Sequence, residues 1–178
     1  MLPEGRSYEL SEKLLIGAID THVHAGPHLK TSPRSVDPFQ AATQARDAGM
    51  RAIVYMDVFE LSNGTSWIVN RVIKDFQTFG GINLNTVYDG VNPRAVKTAL
   101  SYGDGARYVA FGTHSTHWMT SREGQYIDGV WNPSHVRFPK FRDEELARSI
   151  RIPDGKPTPE MDEILQLIAD NPKTYLIT

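Results

Sequence analysis

The chain has 178 residues and no cysteine. Disulfides and thiolate metal sites are thereby excluded, and the absence fits a reducing, cytoplasmic setting. No apolar run approaches the roughly 18 residues that a membrane-crossing helix needs. The stretch from Met1 to Lys13 mixes acidic with basic side chains around no long apolar core, so it does not read as a signal peptide. Excess charge is lacking too: the formal net charge is −2 with no polybasic run, which leaves no electrostatic footprint for nucleic acid or a membrane surface. Gly80-Gly81 and Gly103-Asp104-Gly105 are turn glycines that match no nucleotide-binding fingerprint. A hydrophobic share of 40% and a charged share of 22% are ordinary for a globular domain. The expectation is one domain over 1–178, acting on a small molecule.

What is present concentrates in one segment. Leu14-Leu15-Ile16-Gly17-Ala18-Ile19 runs into Asp20-Thr21-His22-Val23-His24, an Asp-x-His-x-His pattern. Alternate side chains of a strand share a face, so this spacing expects Asp20, His22 and His24 to point the same way. Two imidazoles so placed can hold one divalent ion, and a carboxylate two residues earlier can join or orient them. The competing reading is a strand-end pair that is simply solvated. Polar residues directly after greasy ones fit the C-terminal mouth of a buried parallel strand, where barrel enzymes build their sites. Ala25-Gly26-Pro27-His28 then reads as a tight loop leaving space above the histidines.

Strand-like runs alternate with helical patterns, which predicts βα units and a parallel sheet. Expected strands are Leu15–Thr21, Ala52–Met56, Gly81–Val87, Arg107–Phe111 and Thr174–Thr178. Expected helices are one opened by Ser35-Val36-Asp37-Pro38 and running through Phe39–Ala48, then Ser66–Asp75, one started by Asn92-Pro93 over Arg94–Tyr102, and Pro159–Asp170, the last with Met161, Ile164, Leu165 and Ile168 on one face. After the fourth strand the pattern breaks. Residues 118–150 read as an insertion, with a hairpin around Asp128-Gly129 and a short helix over Phe141–Ile150. Such a segment would sit over the strand mouths as a lid or an oligomer contact. Four βα units and a fifth strand make an α/β chain equal to about the first five strands of a (β/α)₈ TIM barrel. Three readings follow: part of a longer protein, one chain completed by a partner or a second copy, or a self-contained open sheet. The last would leave sheet edges uncovered.

Ile19-Asp20-Thr21-His22-Val23-His24 opening a βα series resembles the first strand of the amidohydrolase superfamily of metal-dependent hydrolases. Asp20 to Arg34, Ala48 to Val54 and Phe111 to Thr116 look like a largely uncharacterised amidohydrolase-like branch with longer chains. The resemblance covers the N-terminal part of that barrel. It implies a hydrolase in which His22 and His24 bind metal. The fourth-strand position where the superfamily often carries a bridging lysine or glutamate has neither; His114 is the nearest ligand-type residue, so a lysine-bridged pair of ions is not expected. The aspartate that shuttles the proton in the superfamily would fall beyond Thr178.

The remaining candidates lie at expected strand mouths and loops. His114 is a third ligand or a substrate contact, and His117 a substrate contact or a packing residue beside Trp118-Met119. His28, Asp57 and Asn85 could reach substrate, and Arg34 could clamp a carboxylate or phosphate, against the plainer reading of solvated loop groups. His135, within the insertion, reads as structural or interfacial. A divalent ion on neutral histidines would activate water, with zinc first and manganese, iron or nickel as alternatives. The rival to a hydrolase is a non-catalytic half-barrel subunit that binds a partner or ligand. A weaker alternative is a phosphoesterase of the PHP type.

Overall fold

Three of the helices begin where a capping side chain precedes proline. Asp37 accepts the Gln40 backbone N–H at 2.8 Å while the Gln40 side chain accepts the Asp37 N–H at 2.9 Å, a reciprocal capping box ahead of Pro38. Asn92 before Pro93 and Thr158 before Pro159 cap through backbone N–H groups three residues on. The computed structural model describes residues 8–28, 33–132 and 142–177. Its first half runs α1 (Tyr8–Leu15), β1 (Ile19–Val23), α2 (Pro38–Asp47), β2 (Ala52–Tyr55), α3 (Ser62–Val72), β3 (Gln77–Phe79) and β4 (Gly81–Leu84). Then come α4 (Pro93–Ser101), β5 (Tyr108–Phe111), α5 (His117–Arg122), β6 (Gln125–Ile127), β7 (Val130–Asn132), α6 (Arg142–Arg148), α7 (Pro159–Ala169) and β8 (Tyr175–Ile177).

The architecture is mixed α/β with two parallel three-stranded sheets, β1-β2-β3 and β4-β5-β8, and no closed barrel among the described residues. Gly80 alone separates β3 from β4, so one bent stretch of chain carries the pairing from the first sheet to the second. A Cβ at Gly80 would lie 2.5 Å from backbone atoms of Ser62 and Asn63, so the start of α3 presses directly on the bend. Across it the strands follow in chain order.

Helices α2, α3, α4 and α7 lie on one side. Ile53 and Tyr55 of β2 pack with Ala41, Ala42 and Val69 of α2 and α3, and Ile82, Leu84 and Val109 pack with Val96, Ala99 and Ile164 of α4 and α7. Alternation turns Val54, Met56, Tyr108 and Ala110 to the other face, with Phe79 and Ile177 against them. The Tyr175 hydroxyl on β8 donates to the Thr21 carbonyl on β1 at 3.4 Å, so this inner face is concave enough for its outer strands to touch.

Several expected boundaries move. Leu14 and Leu15 belong to the end of α1 and Ile16 to the turn after it, not to the first strand, and Leu14 and Ile16 stay exposed. The strand begins at Ile19, on a sheet edge among the described residues, and is exposed rather than buried. Leu165 is 38% exposed; Leu167 instead joins Met161, Ile164 and Ile168 in facing inward from α7. The third strand ends at Leu84, because Asn85 leads into a single helical turn at Thr86–Tyr88.

The insertion after β5 contains the expected hairpin, β6–β7. Asp128 and Gly129 both have positive φ, +52° and +77°, as a type I′ turn demands. Its short helix, α6, returns to the sheet through a parallel bridge between Thr116 and Ile150, where the Ile150 N–H donates to Ser115 O at 2.7 Å. Residues 133–141, His135 among them, lie outside the described residues.

Candidate functional site

β1 delivers His22 and His24 to the inner face, but not with Asp20. Asp20 aligns with Ile53 and Val23 with Tyr55, both partners facing the helices, and the register shifts between them by one extra residue. That bulge breaks the strict alternation and puts Asp20 out of phase with the histidines. Its carboxylate instead accepts the His22 backbone N–H at 2.9 Å, bracing the bulge. Asp20 thus positions His22 through the backbone rather than standing beside the imidazoles.

The two rings converge. His22 Nε2 and His24 Nε2 are 3.0 Å apart, the rings meeting edge to face at 66°. His24 Nδ1 lies 2.8 Å from the Met56 carbonyl, an acceptor only, so Nδ1 carries the proton there. A neutral His24 therefore presents a lone pair at Nε2, to which the His22 Nε2–H can donate. Desolvation holds the His24 pKa below its ordinary 6.5; the nearby His22 and Arg34 push the same way, against the Met56 carbonyl and Asp57. A neutral imidazole with its second nitrogen tied to a carbonyl is the form that binds metal. Two nitrogens at about 2.1 Å from one ion stand roughly 3.0–3.4 Å apart for angles between square and tetrahedral. The observed separation fits the lower end of that range.

Both histidines open on a cavity of about 210 Å³ at the strand mouths, whose walls include Met56, Asn83, Asn85, Ala110, His114 and Ile177. His114, on the turn Thr113–Ser115 after β5, thus shares the chamber with the pair. Among the described residues no three histidine, aspartate or glutamate side chains are yet close enough to enclose one ion.

The other sequence candidates divide. Asn85, 4% exposed, donates through Nδ2 to Val58 O at 2.9 Å, and its buried Oδ1 has no hydrogen-bond partner among the described residues. Asp57 is equally buried but busy: one oxygen accepts the Phe59 and Glu60 N–H groups at 2.6 and 2.8 Å, the other the Tyr55 hydroxyl at 3.3 Å. Its carboxylate organises the loop after β2. His28 tilts against the Phe59 ring at 5.5 Å, and exposed Arg34 is close enough to act on His24 electrostatically. His117 Nδ1 pairs with Ser149 Oγ at 3.2 Å, so its ring joins α5 to the end of α6.

Residues 17–177 match a family described as a family of unknown function, DUF6282. The chain belongs to that family. Searches of curated proteins and of solved structures gave no match.

This DUF6282 chain carries a second, larger cavity that sequence reading missed. It measures about 410 Å³ and adjoins the first through Asn85 and His114. Glu123, Glu144, Glu145 and Arg148 line it, with Phe59 and Val87 as apolar wall. The Thr86 hydroxyl donates to the Glu145 carboxylate, fastening α6 to the turn after β4. Asp143-Glu144-Glu145 at a helix start reads in sequence as ordinary dipole-complementing charge. Only the return of Ile150 to Thr116 brings that turn over the strand mouths. Asn83, beside Asn85, lines the first cavity and its Nδ2 donates to Asp57 O.

Proposed function

We propose that the chain carries the metal-binding part of a hydrolase, in which His22 and His24 hold one divalent ion and a small molecule is cleaved at a C–N, C–O or P–O bond. The observation that carries this reading is the 3.0 Å convergence of the two Nε2 atoms, with the Met56 carbonyl holding His24 in the binding tautomer. Strands in chain order with helices on one side support a partial (β/α)₈ barrel as the frame, with the site at its C-terminal mouth. The resemblance to the amidohydrolase superfamily points the same way.

Zinc is the first expectation, from nitrogen donors without sulfur; manganese, iron and nickel share that preference less selectively. When bound, the ion would supply a water acidified toward neutral pH and a polarised carbonyl or phosphoryl oxygen. The chain's own residues do the rest of what is assigned here. Met56 O fixes the His24 ring, and Asp20 holds the backbone of His22 in place. His114, in the same chamber, is the third ligand or the contact to the reacting group. Asn85, in the wall of the same chamber, is the candidate for a hydrogen bond to substrate.

Protein loaded with zinc or manganese, tested on esters, lactones, amides and phosphomonoesters, is expected to hydrolyse one class, with loss on His24→Ala. Turnover of phosphate esters alone would move the reading to a PHP-type phosphoesterase. Stoichiometric ligand binding with no hydrolysis of any class would favour the non-catalytic subunit.

A further inference from the structure

A single carbonyl, that of Met56, sets which nitrogen of His24 carries the proton. The strand that should hold it stops one residue short: β2 ends at Tyr55, and its pairing with β3 ends earlier still, at Val54 and Phe79. Met56 keeps one sheet-like bond, from its N–H to Val23 O at 2.8 Å. Beyond it the backbone leaves the ladder, and its carbonyls need other partners.

Those partners come from β4. Ile82 and Leu84 face the helices, so Asn83 between them faces inward, level with Ala110 of β5. The Asn83 Nδ2 donates to Asp57 O, and the Nδ2 of Asn85, two residues on, donates to Val58 O at 2.9 Å. Both asparagines are buried, where a bond to a carbonyl meets little competition from water. Three consecutive carbonyls are therefore assigned: Met56 O to His24, Asp57 O to Asn83 and Val58 O to Asn85. The last two are held from a strand outside the β1-β2-β3 sheet. Peptide units are planar, so the Met56 and Asp57 carbonyls are separated only by the two backbone dihedrals of Asp57. Fixing the second carbonyl restricts the first. The Asp57 carboxylate narrows those dihedrals further by accepting the Phe59 and Glu60 N–H groups.

We propose that Asn83 is a positioning residue of the histidine site: by holding Asp57 O it fixes the Met56 carbonyl, which keeps the His24 proton on Nδ1 and the lone pair on Nε2 beside His22. That this lone pair receives a metal rests on the hydrolase reading; the tautomer does not.

Imidazole nitrogen shifts of the whole, metal-free chain, recorded by NMR above neutral pH, read that tautomer directly. Wild type is expected to show a protonated Nδ1 and a bare Nε2 at His24. Asn83→Ala is expected to move His24 toward the Nε2–H form, and so is Asn83→Leu, which keeps the volume without the donor. Zinc affinity by equilibrium dialysis should fall about tenfold, the low end for an outer-shell partner, since Asn83 acts one bond further out. Asn70→Ala is the matched control. The Asn70 Nδ2 donates to Thr78 O at 2.9 Å, outside the histidine chamber, so its loss should leave the His24 signals in place. A wild-type His24 protonated at Nε2 would overturn the proposal. So would an unmoved tautomer in the folded Asn83 variants, an equal shift in Asn70→Ala, or zinc held as tightly by Asn83→Ala as by wild type. If wild type binds no zinc while the tautomer still follows Asn83, the hydrolase reading fails and the positioning role stands.

Discussion

Removing one hydroxyl, that of Ser62, is expected to cost this fold more than most single changes. Ser62 is fully buried at the start of α3, against the bend between β3 and β4. A hydroxyl has one proton to donate and two lone pairs. Here the donor goes to Tyr55 O at 2.9 Å, while Gly81 N–H at 2.9 Å and the Tyr108 hydroxyl at 3.1 Å fill the lone pairs. One side chain thus ties the end of β2, the start of β4 and the inner face of β5. Burial raises the Tyr108 hydroxyl pKa above the ordinary tyrosine range, so it stays a protonated donor. Ser62→Ala strands the Gly81 N–H and the Tyr108 O–H, each at about 1–2 kcal/mol, for a total of about 2–4 kcal/mol. At roughly 2–4 °C per kcal/mol for a domain of this size, Tm should fall by about 5–15 °C. Urea unfolding of wild type, Ser62→Ala, Tyr108→Phe and the double variant measures it. In the Tyr108→Phe background Ser62→Ala should cost about 1 kcal/mol less, since one of the stranded groups is gone. A loss below 1 kcal/mol, or strict additivity, would refute the reasoning.

Three further outcomes follow from the same structure. Gly112→Ala would place a Cβ 2.3 Å from Asn85 Oδ1 and 2.5 Å from Leu84 O; overpacking of this kind costs about 1–3 kcal/mol, and a thermal melt without a drop would contradict the geometry of the strand mouth. Glu60 has its pKa raised above 4.5, first by desolvation, then by Asp57 and against bonds from Thr65 and Tyr55. A carboxyl raised in the folded state favours folding only below its unfolded pKa and loses that contribution as pH rises through the folded value. Glu60→Gln, which keeps an acceptor for Thr65, should therefore raise Tm at pH 7 and leave it unchanged near pH 4; equal melts at both pH values would count against the shift. Gly129→Ala, at φ +77° in the hairpin turn, should destabilise β6–β7 by about 1 kcal/mol, read as faster amide exchange in that hairpin.

What the sequence made legible was chemistry that acts locally. Asp37-Pro38, Asn92-Pro93 and Asp128-Gly129 each carry their own geometric instruction, and each sits where that instruction applies. The misreadings have equally physical causes. Leu14-Leu15-Ile16 is too short a run for periodicity to tell a helix end from a strand start, and α1 and the turn after it took it. Gln77-Thr78-Phe79 is a three-residue strand with one polar and one half-buried end, and nothing marks it in isolation. The bulge at β1 left His22 and His24 together but turned Asp20 aside, a change of phase that no spacing rule records. Glu123, Glu144 and Glu145 meet at one cavity only because the insertion folds back through Ile150, a long-range pairing invisible along the chain.

The central claim is that His22 and His24 together hold a divalent ion, and equilibrium dialysis against zinc with elemental analysis tests it most directly. Wild type should retain one zinc per chain, while His24→Ala and His22→Ala should each lower affinity at least about 100-fold, and neither loss should come with unfolding by circular dichroism. Zinc absent from the folded wild-type protein, or retained equally by both variants, would contradict the account.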